Sequence, residues 1–143
     1  MLTLQEVKSE IEGKVLDLFS SDPLVNLLMP NMDNAFELNT DDDVIIRVSV
    51  NFGRVVEGEQ GYDGVSRRLG VASFGVFTLW GTGAGRGLEV CEAIEKCFYR
   101  LDITHASGEQ IFFDDPYTEG GYLTENTKFC YLVHAPFFVW VGK

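Results

Sequence analysis

The chain has 143 residues, 45% hydrophobic and 13% aromatic, with a formal net charge of -11. That length fits one domain spanning residues 1–143, and such an aromatic content argues against disorder. The charge argues against electrostatic capture of DNA or RNA, and no apolar run reaches the roughly 18 residues that a membrane-spanning helix needs.

The first residues mix charged and apolar side chains and lack the unbroken apolar core of a signal peptide, so cytoplasmic synthesis and retention are expected. Thr3 followed by Glu6 reads as a capping box, and Leu4, Val7, Ile11, Val15 and Leu18 form one apolar helical stripe that stops near Ser20. "LVNLLMPN" fits a brief strand, and Met32 to Asp43 an acidic surface loop. From Val44 to Phe52 apolar residues alternate with Arg47, Ser49 and Asn51, the pattern of a strand with one face on a core. Gly53 to Arg68 holds four glycines and mixed charge, and is expected as the long flexible tip of a hairpin whose return strand runs from Leu69 to Trp80.

A second helix is expected from about Arg86 to Arg100, with an apolar stripe of Leu88, Cys91, Ile94, Phe98 and Leu101. "EQIFFDDP" predicts a short strand, "YTEGGYLTEN" a turn-rich link, and Lys128 to Val141 a last strand. That strand is apolar on both faces, which suggests deep burial or a partner surface. Pro136 within it demands an edge or a bulge, because proline donates nothing to a ladder. The expected architecture is α+β: a single antiparallel sheet, with a mixed one left open, two helices packed on one face, and a long flexible hairpin.

The passage from Val76 to Phe98 has the strand, glycines and helix from which phosphate sites are often built. Its spacing misses the dinucleotide fingerprint in two registers, where Arg86 or Leu88 stands for the third glycine, and it lacks the lysine of a P-loop. Gly81, Gly85 and Gly87 match a looser dehydrogenase spacing, but no tyrosine has a lysine four residues on. Glu89 and Glu92, in the first turns of the helix, would repel a phosphate that the helix N-terminus attracts. The reading preferred is a flexible connection; a small nucleotide- or cofactor-binding enzyme using Gly81–Gly87 is the alternative.

Other chemistry is thinly represented. His105 falls in a turn and His134 in the last strand, and Ser73 lies inside a strand rather than on a nucleophile elbow. The acids Asp41 to Asp43 and Asp114-Asp115 lack the spacing of a calcium loop. Cys91, Cys97 and Cys130 fit no zinc pattern and are expected as buried or half-buried free thiols. No catalytic, cofactor-binding or metal-binding residue is therefore assigned. Arg54, Tyr62, Arg67 and Arg68, in or beside the hairpin tip, are residue types favoured at interfaces and are the candidates for oligomer or partner contact.

Several stretches carry a resemblance. A leading helix is followed by an apolar run ending in "MPN" (Pro30-Asn31), by "FELNTDDDVIIRVSV", by the strand, glycine and helix passage from Phe74 to Phe98, and by a closing "FFVWV". In this order they resemble the phage tail terminator proteins of the minor tail protein U type. Met29 before Pro-Asn departs from the bulkier aromatic expected there, and Gly53 to Arg68 does not align. The resemblance implies a non-enzymatic virion protein without cofactor. It would be assembled in the host bacterial cytoplasm and reside in the virion tail. Six copies would form a ring that caps the tail tube and presents the head-tail joining surface. Its partners would be the tail tube protein and a head-completion or connector protein, with no sequence-specific nucleic acid binding and no membrane contact. An acidic chain suits a channel that DNA passes through without sticking.

Overall fold

The computed structural model describes residues 2–28, 44–57, 66–79, 85–123 and 128–141. Helix α1 (Leu4–Leu18) starts at the expected capping box: Thr3 Oγ1 accepts from the Glu6 amide at 3.1 Å, and Glu6 Oε1 accepts from the Thr3 amide at 3.0 Å. Both orphan donors of that turn are thereby satisfied. Its stripe buries Val7, Ile11 and Val15 fully, while Leu4 stays exposed.

Strand β1 (Val25–Leu28) pairs parallel with β2 (Val44–Glu57), and β2 pairs antiparallel with β3 (Ser66–Leu79). Helix α2 (Gly85–Phe98) follows, then β4 (Asp102–Thr104), β5 (Gln110–Phe113), β6 (Tyr117–Leu123) and β7 (Lys128–Val141). The sheet has seven strands in the order β1-β2-β3-β7-β5-β4, with β6 also paired to β7. The fold is thus α+β as expected. The sheet is mixed rather than antiparallel throughout, because β1 lies parallel to β2 while every other pairing is antiparallel.

Two further expectations are corrected. The hairpin strands run on to Glu57 and resume at Ser66, so Arg67 and Arg68 are ladder residues, opposite Val56 and Val55, and not tip residues; Gly53 and Arg54 fall together in a register shift between Phe52 and Val55. The presumed link "YTEGGYL" is a strand, with a register shift between Glu119 and Tyr122 that accommodates Gly120 and Gly121. A side chain at Gly121 would stand 2.2 Å from the Phe129 ring, so the glycine lets the ring lie over the backbone.

Both helices bury their stripes in one cluster with a single sheet face: Ile46 and Val48 of β2, Phe74 and Val76 of β3, and Val133, Ala135 and Phe137 of β7. Phe98 packs its ring against Phe74 and Phe113 at centroid distances of 5.2 and 5.0 Å. Pro136 finds its edge in an unexpected place. β6 pairs with β7 up to His134 and β5 takes over at Phe137, so proline lies in the two-residue gap, Ala135 and Pro136, between two partner strands. Its carbonyl accepts from the Asp114 amide at 2.9 Å.

Candidate functional site

Gly81 and Gly83 lie outside the described residues, whereas Gly85 opens α2 and Gly87 is buried. A side chain at Gly87 would meet the Thr78 methyl at 3.4 Å and the Tyr131 ring at 3.5 Å, ordinary contact distances at a point where helix meets sheet. Arg86, the nearest cation, donates to Asp22 Oδ2 at 2.6 Å and also stands 3.8 Å from Glu89. The Arg86 hydrogen bond holds the Asp22 carboxyl below its usual range. Glu89 proves to follow the first turn, which contains no acid, and Leu88 points to solvent rather than into the core. Cys91 and Cys130 are buried and Cys97 is half-buried, all three free. Burial pushes the Cys91 thiol up to about 12 and the Cys130 thiol up to about 11, far from the thiolate a nucleophile needs.

The histidines have partners that no sequence spacing revealed. His134 Nδ1 is 2.9 Å from Ser73 Oγ, and its Nε2 is 3.3 Å from Glu119 Oε1, without hydrogen-bond geometry. Serine, imidazole and carboxylate thus meet, across neighbouring strands β3, β7 and β6. The setting does not suit acyl transfer. Ser73 sits mid-strand with ladders on both sides, to Ser49 and to His134, so the amides that would form an oxyanion hole are committed to the sheet. His105 lies between two acids of α1: Nε2 is 2.8 Å from Glu6 and Nδ1 is 2.7 Å from Glu10. Two carboxylates on two ring nitrogens require both nitrogens to donate, so the geometry favours imidazolium, and the Glu10 hydrogen bond raises the His105 pKa. Among the described residues no group of three His, Cys, Asp or Glu side chains is placed to hold a metal.

The sheet face opposite the helices carries the most unusual surface. Arg67, Leu69, Phe138 and Trp140 share it, since Leu69 opposes Phe138 and Arg67 opposes Trp140. Phe112 stacks on Phe138 at 5.1 Å, Trp140 meets the same ring edge-on at 5.5 Å, and the Arg67 guanidinium lies 5.2 Å from its centroid. Leu69 is 39% exposed and Trp140 41%. Beside them a groove of about 420 Å³ is lined by Asn51, Val71, Asp114 and Pro136 among others. The apolar character of both faces of the last strand therefore has two causes: the odd residues from Tyr131 to Val139 fill the core, and Phe138 and Trp140 build this patch.

Of the four contact candidates, Arg67 alone belongs to the patch. Arg68 faces the other side of the strand and donates to the Gly53 carbonyl at 3.3 Å. Arg54 is exposed at the β2 register shift, and Tyr62 lies outside the described residues. The aromatic side chains of this patch were missed because they come from β5 and β7. The signal available was the aromatic run Phe137, Phe138 and Trp140 in a strand already seen as apolar on both faces.

No family model and no curated protein sequence matches the chain. Eighteen chains of solved structure do match it in fold. One of them superposes with a TM-score of 0.73 at 14% identity, over 100% of this chain and 99% of its own. At that identity the likeness concerns the fold alone, which extends over the whole chain. Among the described residues no helix is long and apolar enough to cross a membrane.

Proposed function

We propose that this chain is a structural subunit of a phage or prophage tail, a terminator-type protein that forms a hexameric ring on the end of the tail tube and offers a joining surface to the head. The observation that carries the reading is the sheet face left open by one-sided helix packing. It holds Leu69, Phe112, Phe138 and Trp140 around a single cation, on strands of 14 residues each in β3 and β7. Such exposed aromatic surface is what subunits bury in neighbours. The order of motifs described above supplies the class of assembly.

In this role the chain needs no catalytic group and no cofactor. Its partners are copies of itself, the tube protein and a head-completion or connector protein, and its place is the virion tail. Addition of the protein to purified uncapped tubes of the phage that encodes it tests the reading. Negative-stain images should show a terminal disc on the tubes; bare ends at every protein concentration would overturn it. The competing reading, a nucleotide- or cofactor-binding enzyme built on Gly81–Gly87, has its nearest cation already held by Asp22. Calorimetry with nucleotides and nicotinamide cofactors decides it: binding tighter than millimolar, lost in Gly83→Val, would replace the structural reading.

A further inference from the structure

The sheet and the helices carry opposite charge. β2, β3 and β7 together contain Arg47, Arg54, Arg67, Arg68 and Lys128 against one acid, Glu57. The helices are acidic: Glu6, Glu10, Glu12 and Asp17 against two lysines in α1, and Glu89, Glu92 and Glu95 against Arg86 and Lys96 in α2.

The contrast sharpens at two places. On the open sheet face, Arg67 is set among Leu69, Phe138 and Trp140, and its Nε is buried with no hydrogen-bond acceptor. On the solvent side of α2, Leu88 and Glu92 are neighbours one turn apart, and Tyr99 follows directly on the last helical residue, Phe98. Leu88 is 42% exposed and Tyr99 56%, and Glu92 stands exposed between them. The buried stripe of the same helix, Val90, Cys91, Ile94 and Phe98, faces the core. One surface is thus a cation framed by apolar side chains; the other sets an acid beside Leu88 and Tyr99, with Lys96 one turn further along and the Arg100 guanidinium 5.3 Å from the centre of the Tyr99 ring.

We infer that these two surfaces bind each other between copies of this chain: the outward stripe of α2 of one copy docks on the Arg67 patch of the next, with Glu92 reaching the Arg67 guanidinium. The inference rests on the ring-subunit reading for self-association and adds which surfaces meet. The patches are different, so the contact is head to tail, and such contacts propagate until the rotation closes a ring. Desolvation by Leu88, Tyr99, Leu69 and Trp140 strengthens the charge pair beyond what an exposed pair contributes.

Analytical ultracentrifugation of the wild type, Arg67→Glu, Glu92→Arg and the double variant tests this. Arg54→Glu is the control of equal charge change outside the patch, and thermal melts confirm that each variant is folded. The wild type and Arg54→Glu should associate alike. Each single reversal should weaken association by about tenfold or more, and the double variant should recover most of it. Leu88→Ser gives a second handle on α2 and should weaken association without any charge change. If the wild type assembles and the reversals do not alter it, the surfaces are wrong while the ring reading stands. A wild type that stays monomeric to millimolar concentration overturns the inference, and tube capping then judges the functional reading separately.

Discussion

Gly70 stands opposite Phe52 in β2 and Phe137 in β7, in a row that continues to Phe113 in β5. Three phenylalanines in one row of a sheet need a gap, and the Phe137 ring lies across the glycine. A methyl group in Gly70→Ala would stand 2.3 Å from Phe137 Cζ and within 2.9 Å of two further ring atoms. The ring has little freedom to yield: Phe137 is 2% exposed and contacts Phe52 and Phe113 at 6.2 and 5.6 Å. Overpacking of this kind costs about 1–3 kcal/mol. The loss of glycine's unfolded-state entropy returns about 0.4–1 kcal/mol. The net expectation is a loss of about 1–2 kcal/mol, seen as a fall in Tm of roughly 3–6 °C for a domain of this size. Urea denaturation of the wild type, Gly70→Ala, Phe137→Leu and the double variant gives the coupling. With the ring removed, the alanine should cost little, so the cycle should show an interaction of about 0.5 kcal/mol or more. An alanine that stabilises the wild type, or costs the same in both backgrounds, would show that the Phe137 ring does not depend on the gap at Gly70.

Three further outcomes are expected. Thr3→Ala removes the acceptor for the Glu6 amide and should cost about 1 kcal/mol in chemical denaturation, with Thr3→Ser retaining most of the stability. Phe98→Ala opens a fully buried site between Phe74 and Phe113 and should cost about 3–5 kcal/mol. The His105 bridge sets a pH dependence of known sign. Its folded pKa is raised, so its contribution is complete below the ordinary imidazole range and is lost as pH rises through the folded value. Glu6 has a lowered pKa, chiefly through the Thr3 amide, so its own contribution is lost as pH falls below the carboxylate range. Tm profiles from pH 5 to 9 should therefore decline more steeply on the alkaline side in the wild type than in His105→Gln; parallel profiles would show that the bridge contributes nothing.

What the sequence revealed follows the range of the interactions involved. The capping box was legible because Thr3 and Glu6 are three residues apart and chemically specific. The β2 alternation was legible because one face meets a core and the other does not. β6 was hidden because Gly120 and Gly121 look like turn residues, and only the Phe129 ring, from the next strand, explains them. Leu88 looked like core because its helical angle is close to the buried stripe, and only the placement of α2 on the sheet decides which edge of the stripe is wet. The candidate site shows the same division. Arg67 was named as an interface residue for its type, yet its separation from Arg68 onto opposite faces depends on the strand reaching Ser66. Likewise Ser73, His134 and Glu119, and His105 with Glu6 and Glu10, meet across tens of residues with no local trace.

The position of β7 has a consequence for how the chain comes to be folded. It is the last of the described strands and yet central in the sheet, flanked by β3 on one side and by β5 and β6 on the other. Until it emerges from a ribosome, the β1-β2-β3 unit and the β4-β5 hairpin have no backbone pairing to join them, and each presents a bare edge. Synthesis therefore holds the protein in an unclosed state, with its aromatic row half built, until the final strand slots between the two parts. Such late, long-range closure is slow by nature and leaves edges open to the wrong partner. In a cell that makes many copies at once, the most dangerous wrong partner is the β7 of another nascent chain, and exchange of that one strand would yield entangled multimers with native pairing throughout.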